Sequence, residues 1–119
     1  MDLQTVYDYI KKKYKAVPEY PWRKYPGHAV FRHKDTNKWF ALQAGISGDK
    51  VGVPEKEYVD VINLKVDDMF FRDLLIQEDG IMPAYHMNKT HWLTADIENS
   101  DPELLLFLLE RSFDLTGGR

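Results

Sequence analysis

The chain has 119 residues, 44% of them hydrophobic, with 19 acidic against 16 basic side chains and no cysteine. That length suits a single domain, residues 1–119, burying roughly two-thirds of the surface its unfolded form exposes. The missing thiols exclude disulfides, thiolate metal sites and cysteine nucleophiles. The formal charge of −3 opposes general attraction to nucleic acid, yet residues 1–56 carry +5 and residues 57–119 carry −8, so half of the chain is basic.

Leu3, Val6, Tyr7, Ile10 and Tyr14 recur at spacings of three and four, which predicts a helix over residues 2–15 with one apolar stripe. Lys11, Lys12, Lys13 and Lys15 lie in its last turns, where cations complement the helix dipole. Val17-Pro18-Glu19-Tyr20-Pro21-Trp22 breaks the helix. In the connector Tyr20, Trp22 and Tyr25 accompany Arg23 and Lys24, a combination suited either to stacking bases or to lidding a core.

Residues 28–32 and 38–46 read as a β-hairpin around Lys34-Asp35-Thr36-Asn37, with Phe40, Leu42, Ala44 and Ile46 expected on one face and Trp39, Ala41 and Gln43 on the other. A further strand is expected over residues 58–66, with Tyr58, Ile62, Leu64 and Val66 on one face and Val59, Val61 and Lys65 opposite. Asp67 is expected to cap a helix that buries Met69, Phe70, Leu74 and Leu75 and stops before Gly80. A loop through Pro83 and a strand over residues 91–97 follow. The last helix opens either on Ser100, with Glu103 reaching back, or on Asp101 with Pro102 in the first turn. The six consecutive apolar residues 104–109 exceed one stripe, so burial beyond a single layer or a subunit contact is expected.

The order α-β-β-β-(β)-α-β-α lacks regular βα alternation and predicts an α+β domain with an antiparallel sheet covered on one face by helices. No apolar run approaches the ~20 residues that span a bilayer, and Met1-Asp2-Leu3-Gln4 opens no secretory leader, so a cytoplasmic chain without a membrane partner is expected.

The densest chemistry is Pro83-Ala84-Tyr85-His86-Met87-Asn88-Lys89-Thr90-His91-Trp92. His86 and His91 are poorly spaced for a shared metal, since five residues do not align on a helix and point to opposite faces of a strand. Catalysis by either histidine, oriented by Asp96 or Asn88, finds no nucleophile in a competent context: Ser47, Ser100 and Ser112 lie outside any nucleophile elbow. No cofactor, metal or catalytic residue is therefore assigned. The remaining use is structural or in binding, with Tyr85 and Trp92 anchoring the loop while Asn88 and Lys89 face outward, or with Asn88 bonded to its own turn.

This run, together with Trp39-Phe40-Ala41-Leu42, Asn63-Leu64-Lys65 and Ser112-Phe113-Asp114-Leu115, resembles the MmcQ/YjbR family over nearly the whole chain, with Phe113 where tyrosine is frequent. The resemblance implies a CyaY-like fold with a double-wing arrangement of hairpins, and DNA binding. It places the family's characteristic residues on Pro83, Tyr85, His86, Met87, Asn88, Lys89, His91 and Trp92. On that reading Arg23, Lys24, Arg32, Lys34, Lys38 and Lys89 are the candidate phosphate contacts, in weak, non-specific DNA binding by a monomer. The alternative is a protein-interaction or small-molecule-binding module that uses the aromatic loop around Tyr85 and Trp92.

Overall fold

The computed structural model describes all residues except Asp68, His86, Gly118 and Arg119. Asp2 opens the first helix, α1 (Leu3–Tyr14), by accepting the Thr5 amide hydrogen at 2.8 Å, and Lys15 closes it in the left-handed region at φ 57°. Val6 and Ile10 of its apolar stripe are fully buried. Five strands follow the hairpin expectation: β1 (Ala29–Arg32), β2 (Trp39–Ile46), β3 (Val59–Lys65), β4 (Ile81–Pro83) and β5 (Trp92–Asp96). They form one antiparallel sheet in the order β1-β2-β3-β5-β4. Helix α2 (Met69–Leu75) precedes β4, and α3 (Pro102–Leu115) ends the chain. The domain is thus α+β, with α1 and α3 packed on one face of the sheet.

The hairpin departs from simple alternation. Phe31 pairs with Ala41 but Arg32 pairs with Trp39, so Phe40 is an extra residue in β2 and the strand bulges there. Phe40 and Ala41 both enter the main core, whereas Ala44 and Ile46 belong to a second cluster with Val59 and Val61 on the opposite face. The expected grouping of Phe40 with Leu42, Ala44 and Ile46 is therefore wrong at Phe40, because a bulge inverts the two-residue period on one side of itself. Ladder pairing of β2 with β3 ends at Ala41 and Leu64. Beyond it, the buried Ser112 hydroxyl of α3 fills the gap, donating to the Phe40 carbonyl at 2.6 Å and accepting the Lys65 amide hydrogen at 2.8 Å.

Next to this plug lies an aromatic cluster. Phe113 stacks on Tyr14 at 4.4 Å and lies 4.2 Å from the His33 ring and 5.0 Å from Phe40. Burial of the Tyr14 phenol pushes its ionisation up to about 12, with nearby Lys13 opposing the shift. His33, which composition and spacing do not single out, is buried and shares a 2.8 Å hydrogen bond with the Thr116 hydroxyl, tying the hairpin to the end of α3.

Helix α2 overturns the expected face. Leu75 is buried and Phe71 and Ile76 pack against the core, while Phe70 is 75% exposed and Met69 and Leu74 are about half exposed. A seven-residue helix that is apolar nearly all round has no single stripe, and its packing on β4 selects which side is covered. The Asp67 carboxylate, expected as a cap, is engaged with the Arg111 guanidinium, whose hydrogen bond holds it below the usual carboxylate range. The additional strand, β4, lies after α2 rather than before it, in the segment read as a loop. Pro83 fits there because β4 is an edge strand and needs no donor on its outer side. Gly80, at φ 78°, permits the approach to β4, since a side chain would meet the Ser100 backbone nitrogen at 2.7 Å. At the other edge the connector residue Glu19 exchanges both backbone hydrogen bonds with Val30 and shields β1. The last helix takes the second of its two expected starts: Asp101 caps the Leu104 amide at 3.0 Å, with Pro102 in the first turn.

Replacing Ser112 with alanine strands a buried carbonyl and amide, and should cost about 1–3 kcal/mol in urea unfolding. Asp60 is a second checkpoint. Burial, reinforced by Glu98 and Asp96, raises its carboxyl above the ordinary range. A raised folded-state value means that ionisation at neutral pH opposes folding, and that this opposition fades as pH falls below the unfolded value. Asp60→Asn should therefore raise the melting temperature at pH 7, and the gain should vanish near pH 3.

Candidate functional site

The sheet face opposite α1 and α3 is not covered by a helix. In its place lies a cleft of about 550 Å³. Its floor is Leu42, Ala44, Ile46 and Val61, the outward side chains of β2 and β3. One wall is Trp22, Tyr25, His28 and Trp39, and the other is Tyr85 and Met87 of the dense loop. Trp22 meets Trp39 edge to face at 5.5 Å, and Tyr25 stacks on His28 at 4.9 Å. The bulge at Phe40 is what places Trp39 on this face. The Arg32 guanidinium covers the Trp39 ring at 5.6 Å and pairs with Glu19 at 3.3 Å.

Tyr85 is held over the sheet by a buried polar relay. The Thr94 hydroxyl accepts the Tyr85 amide hydrogen at 2.9 Å and donates to the Asn63 carbonyl oxygen; the Asn63 amide donates to the Tyr85 carbonyl at 3.1 Å. Asn63 and Thr94 are cross-strand partners on β3 and β5, both buried. The rest of the loop is a turn: the Asn88 side chain accepts the Thr90 amide hydrogen at 2.8 Å, and its backbone carbonyl accepts that of Trp92 at 3.0 Å. Arg72 of α2 donates to the Lys89 carbonyl at 2.8 Å, and the His91 carbonyl receives the Val66 amide.

Comparison with known proteins decides the kinship. The YjbR family profile matches residues 11–115. This chain belongs to the YjbR family. YyaQ of Bacillus subtilis, itself uncharacterised, is 37% identical over 114 residues, covering 95% of this chain and 96% of YyaQ. The crystal structure of a Pseudomonas syringae protein, 44% identical, superposes with a TM-score of 0.93 over 98% of this chain and 99% of its own. The solution NMR structure from the same organism, also 44% identical, gives 0.86 over 98% and 93%. A Deinococcus radiodurans protein with a DUF419 domain is 26% identical, at 0.65 over 99% of this chain and 78% of its own.

In this YjbR chain the six candidate phosphate contacts do not form one group. Arg23 and Lys24 are exposed, next in the chain to the lining residues Trp22 and Tyr25. Arg32 is half-buried and paired. Lys34 lines a separate hollow with Tyr14, Lys15 and Phe113 on the helix side of the sheet. Lys38 and Lys89 are exposed on the hairpin turn and the loop. Of the loop residues, Tyr85 reaches the cleft, Trp92 is half-buried at the start of β5, Asn88 and His91 are exposed, and His86 lies outside the described residues. Among the described residues no three His, Asp or Glu converge as metal ligands. The Asp96 carboxylate, considered as an orienting group, caps the Glu98 and Asn99 amides.

Sequence reasoning missed Asn63 and Thr94 as the loop's support, and His28 and Met87 as lining. The alternation of β3 places Asn63 beside Val61 and Lys65 on the outward face, and that polar residue inside an apolar strand was the available signal. Thr94→Val keeps the shape and removes both ends of the relay. The Tyr85 amide should then exchange with deuterium faster, by a factor corresponding to about 1–3 kcal/mol of lost protection.

Proposed function

We propose that this YjbR-family chain is a non-catalytic binding module whose outer-face cleft holds a small ligand with a flat, apolar body. The single observation that carries the reading is the cleft itself. Its volume of about 550 Å³ falls within the roughly 300–1,000 Å³ typical of small-molecule sites. Aliphatic side chains form its floor and two tryptophans and Tyr85 form its walls, surfaces that reward planar groups by edge-to-face and offset contact. The Asn63–Thr94 relay supplies preorganisation, because a wall already pinned loses little freedom when a ligand arrives. Support for a non-catalytic reading comes from Asp96 and Asn88, the expected orienting groups, whose side-chain oxygens accept from Glu98, Asn99 and Thr90.

A second reading, DNA binding through the hairpin wing and the Asn88-Lys89 loop, is favoured by the exposure of Arg23, Lys24, Lys34, Lys38 and Lys89. Its weakness is Arg32, already paired with Glu19, and the placing of Lys34 beside Asp35 and Asp114 in a separate hollow.

One pair of titrations separates the two. N-phenyl-1-naphthylamine, a neutral aromatic amine, should brighten and quench tryptophan emission in the wild type and do neither in Ala44→Phe, which fills the floor. A labelled mixed-sequence duplex, followed by anisotropy at about 50 and 200 mM salt, should not bind. Salt-sensitive duplex binding lost in Lys34→Glu with Lys38→Glu, and no response to the amine, would replace the first reading with the second.

A further inference from the structure

We infer that the cleft selects an anion: a planar aromatic body lies over the sheet and its carboxylate, sulfonate or phosphate meets Lys50. This inference rests on the cleft being the binding site and adds the chemical class of what enters it.

The argument begins with charge. The chain carries more acidic than basic side chains, 19 against 16. Among the described residues the lining of the cleft nevertheless contains no carboxylate, and Lys50 is the one Lys, Arg, Asp or Glu in it. Arg23 and Lys24, exposed chain neighbours of the lining residues Trp22 and Tyr25, carry the same sign. The acidic cluster of Asp60, Asp96 and Glu98 interacts among itself, and none of the three lines the cleft. A cavity without acids in an acidic chain favours anions and repels no part of them.

Position supplies the second step. Along β2 the lining runs from Trp39 through Leu42, Ala44 and Ile46 to Ser47 and Lys50. The four residue steps from Leu42 to Ile46 span about 14 Å, so an apolar bed for a body of two or three rings ends at a cation. Lys50 sits in the 3₁₀ turn Gly48–Val51. The turn packs closely because Gly48 has no side chain: a Cβ there would lie 2.1 Å from the Lys56 carbonyl oxygen. The Ser47 hydroxyl, just before the turn, donates to the carboxylate of Asp49, the acid next to Lys50 in the chain. Aromatic walls, an aliphatic floor and one terminal ammonium together match an amphipathic aromatic anion better than a neutral or cationic one.

The test compares two probes with nearly the same rings. 1-Anilinonaphthalene-8-sulfonate carries the anion, and N-phenyl-1-naphthylamine lacks it. Against wild type, Lys50→Glu should weaken sulfonate binding about tenfold, the size expected for reversing one partly exposed charge, and leave the neutral probe unchanged. Ala44→Phe should abolish both; if that variant unfolds, competition between the two probes in a calorimetric titration, with the apparent sulfonate affinity falling as the neutral probe is added, serves instead. Equal sulfonate affinity in wild type and Lys50→Glu overturns the inference while the neutral probe's binding keeps the cleft as a site. Equal weakening of both probes also overturns it, as a structural effect. No binding of either probe removes the cleft reading itself.

Discussion

The Ser112 hydroxyl is the contact on which the arrangement of this domain depends. It stands where the β2–β3 ladder ends, at the residue that bulges in the β1–β2 pair, and satisfies the Phe40 carbonyl and the Lys65 amide together. A bulge inside a sheet normally leaves backbone groups unpaired, and unpaired groups in a core are expensive. With α3 supplying the missing partner, the irregularity is tolerated. Its result is that Phe40 and Ala41 both feed the helix-side core, while Trp39 turns to the other face.

That division of aromatic residues makes two different environments from one strand. On the helix side Phe40 joins His33, Tyr14 and Phe113 in a closed cluster. On the outer side Trp39 meets Trp22 and becomes a wall of an open cleft. The loop that faces it is not supported by its own conspicuous residues. Two neutral side chains on adjacent strands, Asn63 and Thr94, hold its backbone, and their burial makes each hydrogen bond hard to give up. Asn88, by contrast, spends its amide on the turn.

Electrostatics follow the same logic of place over count. Arg32 lies over Trp39 and beside Glu19, Lys34 lies beside Asp35 and Asp114 in a separate hollow, and Lys50, unremarkable in sequence, is the cation in the cleft. The sheet order keeps the two halves of the chain apart, with β1 and β2 of the basic N-terminal half on one side and β3, β5 and β4 of the acidic C-terminal half on the other, meeting at the β2–β3 seam.

Local patterns in the chain determined a good deal. The apolar stripe of α1, the turn formers between β1 and β2, the alternation of β3 and the Asp101-Pro102 start of α3 each act over a few residues, so their physics is present in the sequence itself. The family followed from the run around Tyr85 for the same reason. Tertiary structure alone decided the rest. The bulge at Phe40 needs a hydroxyl from residue 112, the exposed face of α2 is chosen by β4, and the cleft is assembled from the connector, two central strands and a loop more than 60 residues after Trp22. Those contacts join residues far apart along the chain, and no periodicity within a short window encodes which distant partner will arrive.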